Sequence, residues 1–288
     1  MNIVLVTALW RRPELAKIVL EYYRKTFPNI QIIAVVTDND LQFGVDGVEF
    51  VEAPNDPLAQ KFNKVFESAK KHNPDAVILT GSSDILSERL INYYKLNYNS
   101  RSQYVLGLED FYFYSLAQRK SIHWHGFMQG KFGHLPIGAG RIFSRSILDK
   151  LKWKPYGDLK LNRGLDCNSS LHMESHGITH RKVLMADSGH AVCLKDSNIA
   201  INRFDDWKFN GDEISNDDVM IYFSDVINKY HELQVDESKF PSGKMIKCVL
   251  VVSHAYGEYF GEIGQEIMLE GRTALGMYRN KLIDIINE

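Results

Sequence analysis

Cysteine is scarce in this 288-residue chain: Cys167, Cys193 and Cys248 are the three. They are far apart and odd in number, which excludes a disulfide framework or a metal-binding spacing and points to a reducing compartment. No apolar run approaches the roughly 18 residues that a membrane-spanning helix needs. Neither sign of charge predominates: 34 Lys and Arg against 36 Asp and Glu leave a net charge of −2. No global field therefore demands nucleic acid or an acidic membrane. Internal repeats, low-complexity tracts and a Walker lysine motif are also missing. The first strand is followed by Thr7-Ala8-Leu9-Trp10-Arg11-Arg12. That turn has no Gly-x-Gly-x-x-Gly, which disfavours a dinucleotide. Met1 to Trp10 is apolar, lacks a basic leader and runs into Arg11-Arg12-Pro13, so it is expected to be a strand and not a signal peptide. A cytoplasmic location is the expectation.

What remains is ordinary folded-protein material, 44% hydrophobic and 24% charged, long enough for one large domain or for one domain with an appendage. Ile3 to Val6 is an apolar strand ending at Thr7. Pro13 suits a first helical position, and Leu15, Ile18, Val19 and Tyr22 form the stripe of a helix that stops at Phe27-Pro28. Gln31 to Val36 is a second buried strand, followed by Thr37-Asp38-Asn39-Asp40; Val48 to Val51 is a short third. Asp56 is placed to cap a helix begun by Pro57, with Leu58, Phe62, Val65, Phe66 and Ala69 on one face. Alternation of strand and helix over about 80 residues predicts a doubly wound, mostly parallel sheet.

The stretch Asp75-Ala-Val-Ile-Leu-Thr-Gly-Ser-Ser-Asp84 organises the rest. Its apolar run reads as a strand buried on both faces, and Thr80 to Asp84 as a polar turn. Ser87 can then cap a helix with Glu88 in its first turn. In open α/β sheets ligands bind outside the carboxyl ends of the strands, where Asp84 falls. A carboxylate there, beside Gly81, suits a divalent metal holding a diphosphate; equally, it suits a carboxylate that only caps the turn.

From residue 103 the character changes. Gln103 to Leu108 reads as a strand, and Phe111 to Tyr114 are all aromatic. Arg119 to Gly140 reads as a long loop rich in Gly, His and Lys. Gly138 and Gly140 would let backbone approach a ligand, or serve a tight bend. Ile142-Phe143 and a short helix from Ser146 follow. Arg163-Gly164-Leu165-Asp166 opens a helix ended by Gly177, with Asp166 in its first turn. Arg181 to Ala186 reads as a strand before Asp187-Ser188-Gly189-His190. Asn210 to Ser215 reads as a polar linker, Val219 to Tyr230 as a helix, Met245 to Val252 as a strand, and Gly264 to Ile286 as a terminal helix interrupted by Gly271 and Gly276.

Taken together, residues 1 to 205 resemble a GT-A-fold glycosyltransferase near the family 2 group, of a small phage or viral type. Thr7 and Arg11 look like the family's nucleotide-contacting start, and Asp38 like its base- or ribose-contacting acid. Ser82-Ser83-Asp84 stands where the family has Asp-x-Asp; Ser82 replaces the first acid, leaving one carboxylate. Gly164-Leu165-Asp166 looks like the x-Glu-Asp motif that opens the acceptor-side helix, with Asp166 as the base. His190 looks like the added C-terminal metal ligand. The resemblance implies an α/β GT-A-like domain over 1–210, with a nucleotide-binding half (1–100) and an acceptor half (101–210), and a mainly helical extension over 211–288. It implies a nucleotide-diphosphate sugar as donor, a hydroxyl acceptor on a glycan or a modified DNA base, and a divalent cation, manganese or magnesium, as cofactor. Asp166 on the acceptor face gives inversion; without a base there, front-side retaining transfer is the fallback.

Three rival readings stand beside it. His172 and His176 share a helix face, as zinc ligands do, but Glu174 lies two residues from each, whereas a zinc protease places it next to the first His. A nucleotidyltransferase would show a basic Gly-rich loop after the first strand. A non-catalytic sugar or nucleic-acid binding protein would use Trp10, Trp124, Trp153 and Trp207 for stacking, with the basic stretch Lys150 to Arg163 carrying the charge.

Overall fold

The structure, a computed structural model, describes residues 1–10, 12–37, 45–127, 130–196, 204–232, 244–250, 254–256, 259–261, 266–270, 274 and 283–285. The first six elements are β1 (Ile3–Ala8), α1 (Pro13–Thr26), β2 (Gln31–Val36), β3 (Val48–Glu52), α2 (Leu58–Ala69) and β4 (Ala76–Gly81). β1 lies between β2 and β4 and is parallel to both; β3 pairs parallel to β2. Successive residues of these strands point into two separate cores. Ile3, Leu5, Ile32, Ala34 and Ile78 pack with Leu15, Ile18 and Val19 of α1. Val4, Val6, Ile33, Val35, Val77 and Leu79 pack with Ala59, Val65, Phe66 and Ala69 of α2. A strand buried on both faces has no position for a polar residue, which is why these segments read as unbroken apolar runs.

Two local signals resolve differently. Pro13 does begin α1. At α2, Asp56 does not cap: the Leu58 N–H donates instead to Asn162 Oδ1 at 2.7 Å, from a loop 104 residues away, and Asp56 Oδ1 holds the Asn162 amide. A side chain supplied by tertiary structure takes the place of the local cap.

The chain continues through β5 (Asp84–Leu86), α3 (Glu88–Asn97), β6 (Tyr104–Leu108), β7 (Phe111–Ser115), β8 (Lys120–Trp124), β9 (Ile142–Ser144), α4 (Arg145–Lys150), α5 (Leu165–Ser175), β10 (Thr179–Val183), α6 (Met185–Ser188), β11 (Ala191–Lys195), β12 (Gly211–Ile214) and α7 (Asp217–Glu232). Ser87 caps α3 as its sequence predicts, accepting from the Leu90 N–H. The large sheet has the order β10-β6-β9-β4-β1-β2-β3. β9 runs antiparallel to its neighbours β4 and β6, and the other pairings are parallel. This is the open, mostly parallel sheet flanked by helices that the GT-A-like reading requires. A second sheet, β12-β8-β7-β11-β5, is built largely from segments the sequence left irregular. β8 lies inside the expected loop Arg119 to Gly140, and β12 replaces the expected linker Asn210 to Ser215; the two pair antiparallel. Each is only four or five residues long, too short for its pattern to stand out, and each is held by cross-strand partners.

The chain divides into compact units 1–231 and 232–288, so β12 and nearly all of α7 belong to the first. In the second, β13 (Met245–Leu250) pairs antiparallel with β16 (Glu266–Glu270) and β17 (Ile283–Ile285), and β14 (His254–Tyr256) pairs with β15 (Tyr259–Gly261). The mainly helical extension is therefore corrected. α7 is helical, but of the described residues of the expected terminal helix only Ala274 is helical, and 266–270 and 283–285 are strands. Ile267 and Leu269 turn inward between exposed Glu266 and Met268, the period of two of a strand. No helix among the described residues is long and apolar enough to cross a membrane.

Candidate functional site

A cleft of about 210 Å³ opens at the carboxyl end of β4. Its floor is one face of the second sheet. Cys193 of β11 stands opposite Asp84 of β5 and beside Phe113 of β7; Phe111 stands opposite Trp124 of β8. All five line the cleft, with Lys195 two residues beyond Cys193 on the same face. Trp207 lies over this floor, stacked on Phe113 at 4.1 Å and edge-on to Trp124 at 4.8 Å. The facing wall comes from Gly138 and Ala139, from Leu165 and Asp166 at the start of α5, and from Phe62 stacked on Tyr156 at 5.2 Å. Asp84 and Asp166, 82 residues apart in sequence, thus face one space.

Asp84 caps the turn, as one of its two sequence readings expects, and it also borders the cleft. Its Oδ2 accepts the Gly81 N–H at 2.7 Å, fixing the turn, while the residue stays on the cleft surface. Gly81 is required here: a Cβ would fall 2.5 Å from Asp84 Oδ2. Asp166 is positioned by a buried cation. Arg141 is 1% exposed, and its guanidinium donates to the Asp166 carbonyl at 3.2 Å as well as to the carbonyls of Pro136 and Ile137. Burial raises the Asp166 carboxyl above the usual range; the Arg141 charge opposes this, and the Asp84 charge adds to it. The carboxyl rests against Gly138, where a Cβ would come within 2.1 Å of its Oδ1. Gly138 thus makes room for a side chain of this same protein.

The other expected residues are scattered. Thr7, beside Thr80 in the sheet, is buried with its hydroxyl unpartnered and is not on the cleft wall. Ser82 accepts from Arg12 Nη2 at 3.0 Å, and the Ser83 hydroxyl lies 3.5 Å from Cys193 Sγ. Arg11 and Asp38 lie outside the described residues. His190 precedes β11 and is not on the cleft wall. Its backbone exchanges hydrogen bonds with Ser87, and its ring stacks on Tyr222 at 3.7 Å. The register puts Cys193, three residues further on, beside Asp84, so His190 does not join Asp84 here.

Two carboxylates on one cleft are hard oxygen donors, a set that suits magnesium or manganese when phosphate oxygens and water complete the shell. No group of three or more His, Cys, Asp or Glu side chains that could hold a metal occurs among the described residues. His172 and His176 do share a face of α5, with rings 4.6 Å apart. Trp153 and Tyr156, interleaved with the basic stretch, are 2% and 3% exposed. Trp153 is a core residue, and Tyr156 packs on Phe62 in the cleft wall.

Sequence reasoning gave Lys195 and Arg141 no role in the site; it took the aromatic and His-rich residues from Phe111 to His134 to shape the acceptor side, without the sheet that makes Phe111, Phe113 and Trp124 a floor. The alternation Phe111, Phe113 with Ile122, Trp124 was the available signal for the floor. Nothing local marks Arg141 or Lys195, whose surroundings come from distant segments.

No family model matches the chain, and no curated protein matches it. Among solved structures, mannose-1-phosphate geranyltransferase from Thermus thermophilus is similar over 67% of this chain and 74% of that one, with 14% identity and a TM-score of 0.34. A likeness of that size carries no argument about function.

Proposed function

We propose that this cleft transfers a sugar from a nucleotide-diphosphate sugar to a hydroxyl acceptor, with Asp166 as general base and Asp84 on the diphosphate side. The observation that carries the reading is the convergence of Asp84 and Asp166 on one cleft outside the carboxyl ends of a parallel sheet, the position at which such sheets bind ligands. The two carboxylates differ in kind. Asp84 is pinned by the Gly81 N–H. Asp166 has a carboxyl raised by burial, and a raised pKa makes a carboxylate a better proton acceptor near neutral pH. In the reaction the acceptor oxygen bonds to the anomeric carbon as its proton passes to Asp166. The bond to the phosphate oxygen breaks, and the electron pair leaves with the diphosphate. A divalent cation, when bound, would neutralise charge on that leaving group; Asp84 is the residue to hold it. The acceptor is a hydroxyl on a glycan or on a modified DNA base.

The test is a thermal-shift panel of nucleotide diphosphates and sugar nucleotides, each with and without manganese, because a ligand that binds only the folded state raises its stability. One nucleotide class should shift the melting temperature of the wild type, further with manganese than without, and Asp84→Ala should lose the manganese-dependent part of that shift. Asp166→Asn should keep the shift and lose transfer. Full transfer activity in Asp166→Asn would remove the base from the mechanism; no shift with any nucleotide would remove the donor class.

A further inference from the structure

One buried cation of the cleft has no acceptor of its own among the described residues. Lys195 is 8% exposed and lies on the cleft wall. Its Nζ is 5.0 Å from the Phe113 ring centre and 5.2 Å from that of Trp207. Among the described residues those π faces are its partners; no carboxylate, carbonyl or hydroxyl engages it. The other large buried cations contrast with it. Lys61 donates to the Leu9 carbonyl, Thr37 Oγ1 and Asn55 Oδ1, and Arg141 to three carbonyls. A buried charge ordinarily needs such partners, because desolvation is costly and a π face recovers only part of it. Asp84 and Asp166 border the same space, yet neither pairs with Lys195. The ammonium is held on an aromatic shelf in the lining of the cleft, with no protein acceptor among the described residues, which is the arrangement of a site whose acceptor arrives with the ligand.

We propose that Lys195 binds a phosphate oxygen of the donor's diphosphate and takes up the negative charge that develops when the bond to the sugar breaks. This rests on the transferase reading for the identity of the anion. Its consequence is specific: the cleft has a protein cation for the leaving group, so diphosphate binding survives removal of divalent metal. The electron pair of the breaking bond ends on the phosphate oxygen that Lys195 faces, and the acceptor's proton ends on Asp166.

The experiment titrates inorganic pyrophosphate into the full chain in the presence of EDTA, followed by calorimetry and by the fluorescence of Trp207 beside the ammonium. The wild type should bind. Lys195→Met should weaken binding roughly tenfold to a hundredfold, the range of a charge-assisted hydrogen bond, and Lys195→Arg should stay within a few-fold. A folded Lys195→Met that binds pyrophosphate like the wild type overturns the proposal, as does a wild type that binds none without metal. Should Lys195→Met fail to fold, Lys195→Gln carries the same titration. The two readings fail separately. Asp166-dependent turnover of a sugar nucleotide with pyrophosphate binding indifferent to residue 195 sinks the Lys195 assignment alone. Lys195-dependent pyrophosphate binding without turnover of any sugar nucleotide sinks the transferase and keeps the anion site.

Discussion

Gly138→Ala is the sharpest perturbation of the site, because it moves Asp166 without altering its chemistry. The alanine Cβ would sit 2.1 Å from Asp166 Oδ1, 2.2 Å from Cγ and 2.3 Å from Oδ2. All three atoms belong to the carboxyl group. Ordinary contact begins near 3.4 Å, so the carboxyl must retreat by about 1.3 Å. Gly138 is not among the residues with positive φ, so the backbone accepts alanine and the effect is confined to the displaced side chain. A misplacement of about 1 Å at a reacting group costs about a hundredfold in rate. The assay is steady-state release of nucleoside diphosphate from the donor identified in the thermal-shift panel. Turnover should fall about a hundredfold, while donor-induced stabilisation stays as in the wild type. Gly138→Ala with turnover within a few-fold of wild type would refute the reasoning, since a general base cannot work from over an ångström away. Loss of donor binding in parallel would also count against it, by assigning Asp166 to the donor and not to the acceptor proton.

Two stability predictions test the frame around the site. His180 has a fully buried side chain, and its pKa is lowered to about 4 by burial first and by the Arg141 charge second, with the Ser170 backbone and Glu174 opposing. A folded-state pKa below the unfolded value means that the unfolded chain takes up the proton first. His180 should thus cost no stability above about pH 6.5 and destabilise the fold progressively down to about pH 4, by about 2 kcal/mol once solvent screening is allowed for. Denaturant titrations of the wild type and His180→Phe should diverge in slope over that window; parallel pH profiles would contradict the assignment. At the start of α2, Asn162→Ala removes the acceptor of the Leu58 N–H and should cost about 1 kcal/mol at neutral pH, read as a lowered denaturation midpoint. An unchanged midpoint would mean that water serves that N–H equally well.

What the sequence by itself determined was the parallel half of the fold and the place of Asp84. Buried parallel strands must be apolar on both faces, so Ile3 to Val6, Gln31 to Val36 and Ala76 to Leu79 announce themselves, and the helices between them carry period and caps in a few adjacent residues. Asp166 at the head of a helix was legible for the same reason: Gly164 and Gly177 bracket it locally. What only the tertiary structure decided was which of these groups meet. The second sheet assembles short strands from residues 84, 111, 120, 191 and 211 onward, and strands that short carry too little pattern to be read without their partners. That assembly puts Lys195 on a shelf made by Phe113 and Trp207, sets Asp166 against Gly138 and over Arg141, and leaves His190 along the strand from Asp84. Burial and proximity between residues tens of positions apart give Asp166 and His190 their shifted chemistry. Spacing along the chain carries no record of either, because a side chain's dielectric surroundings are supplied by whatever the fold packs around it.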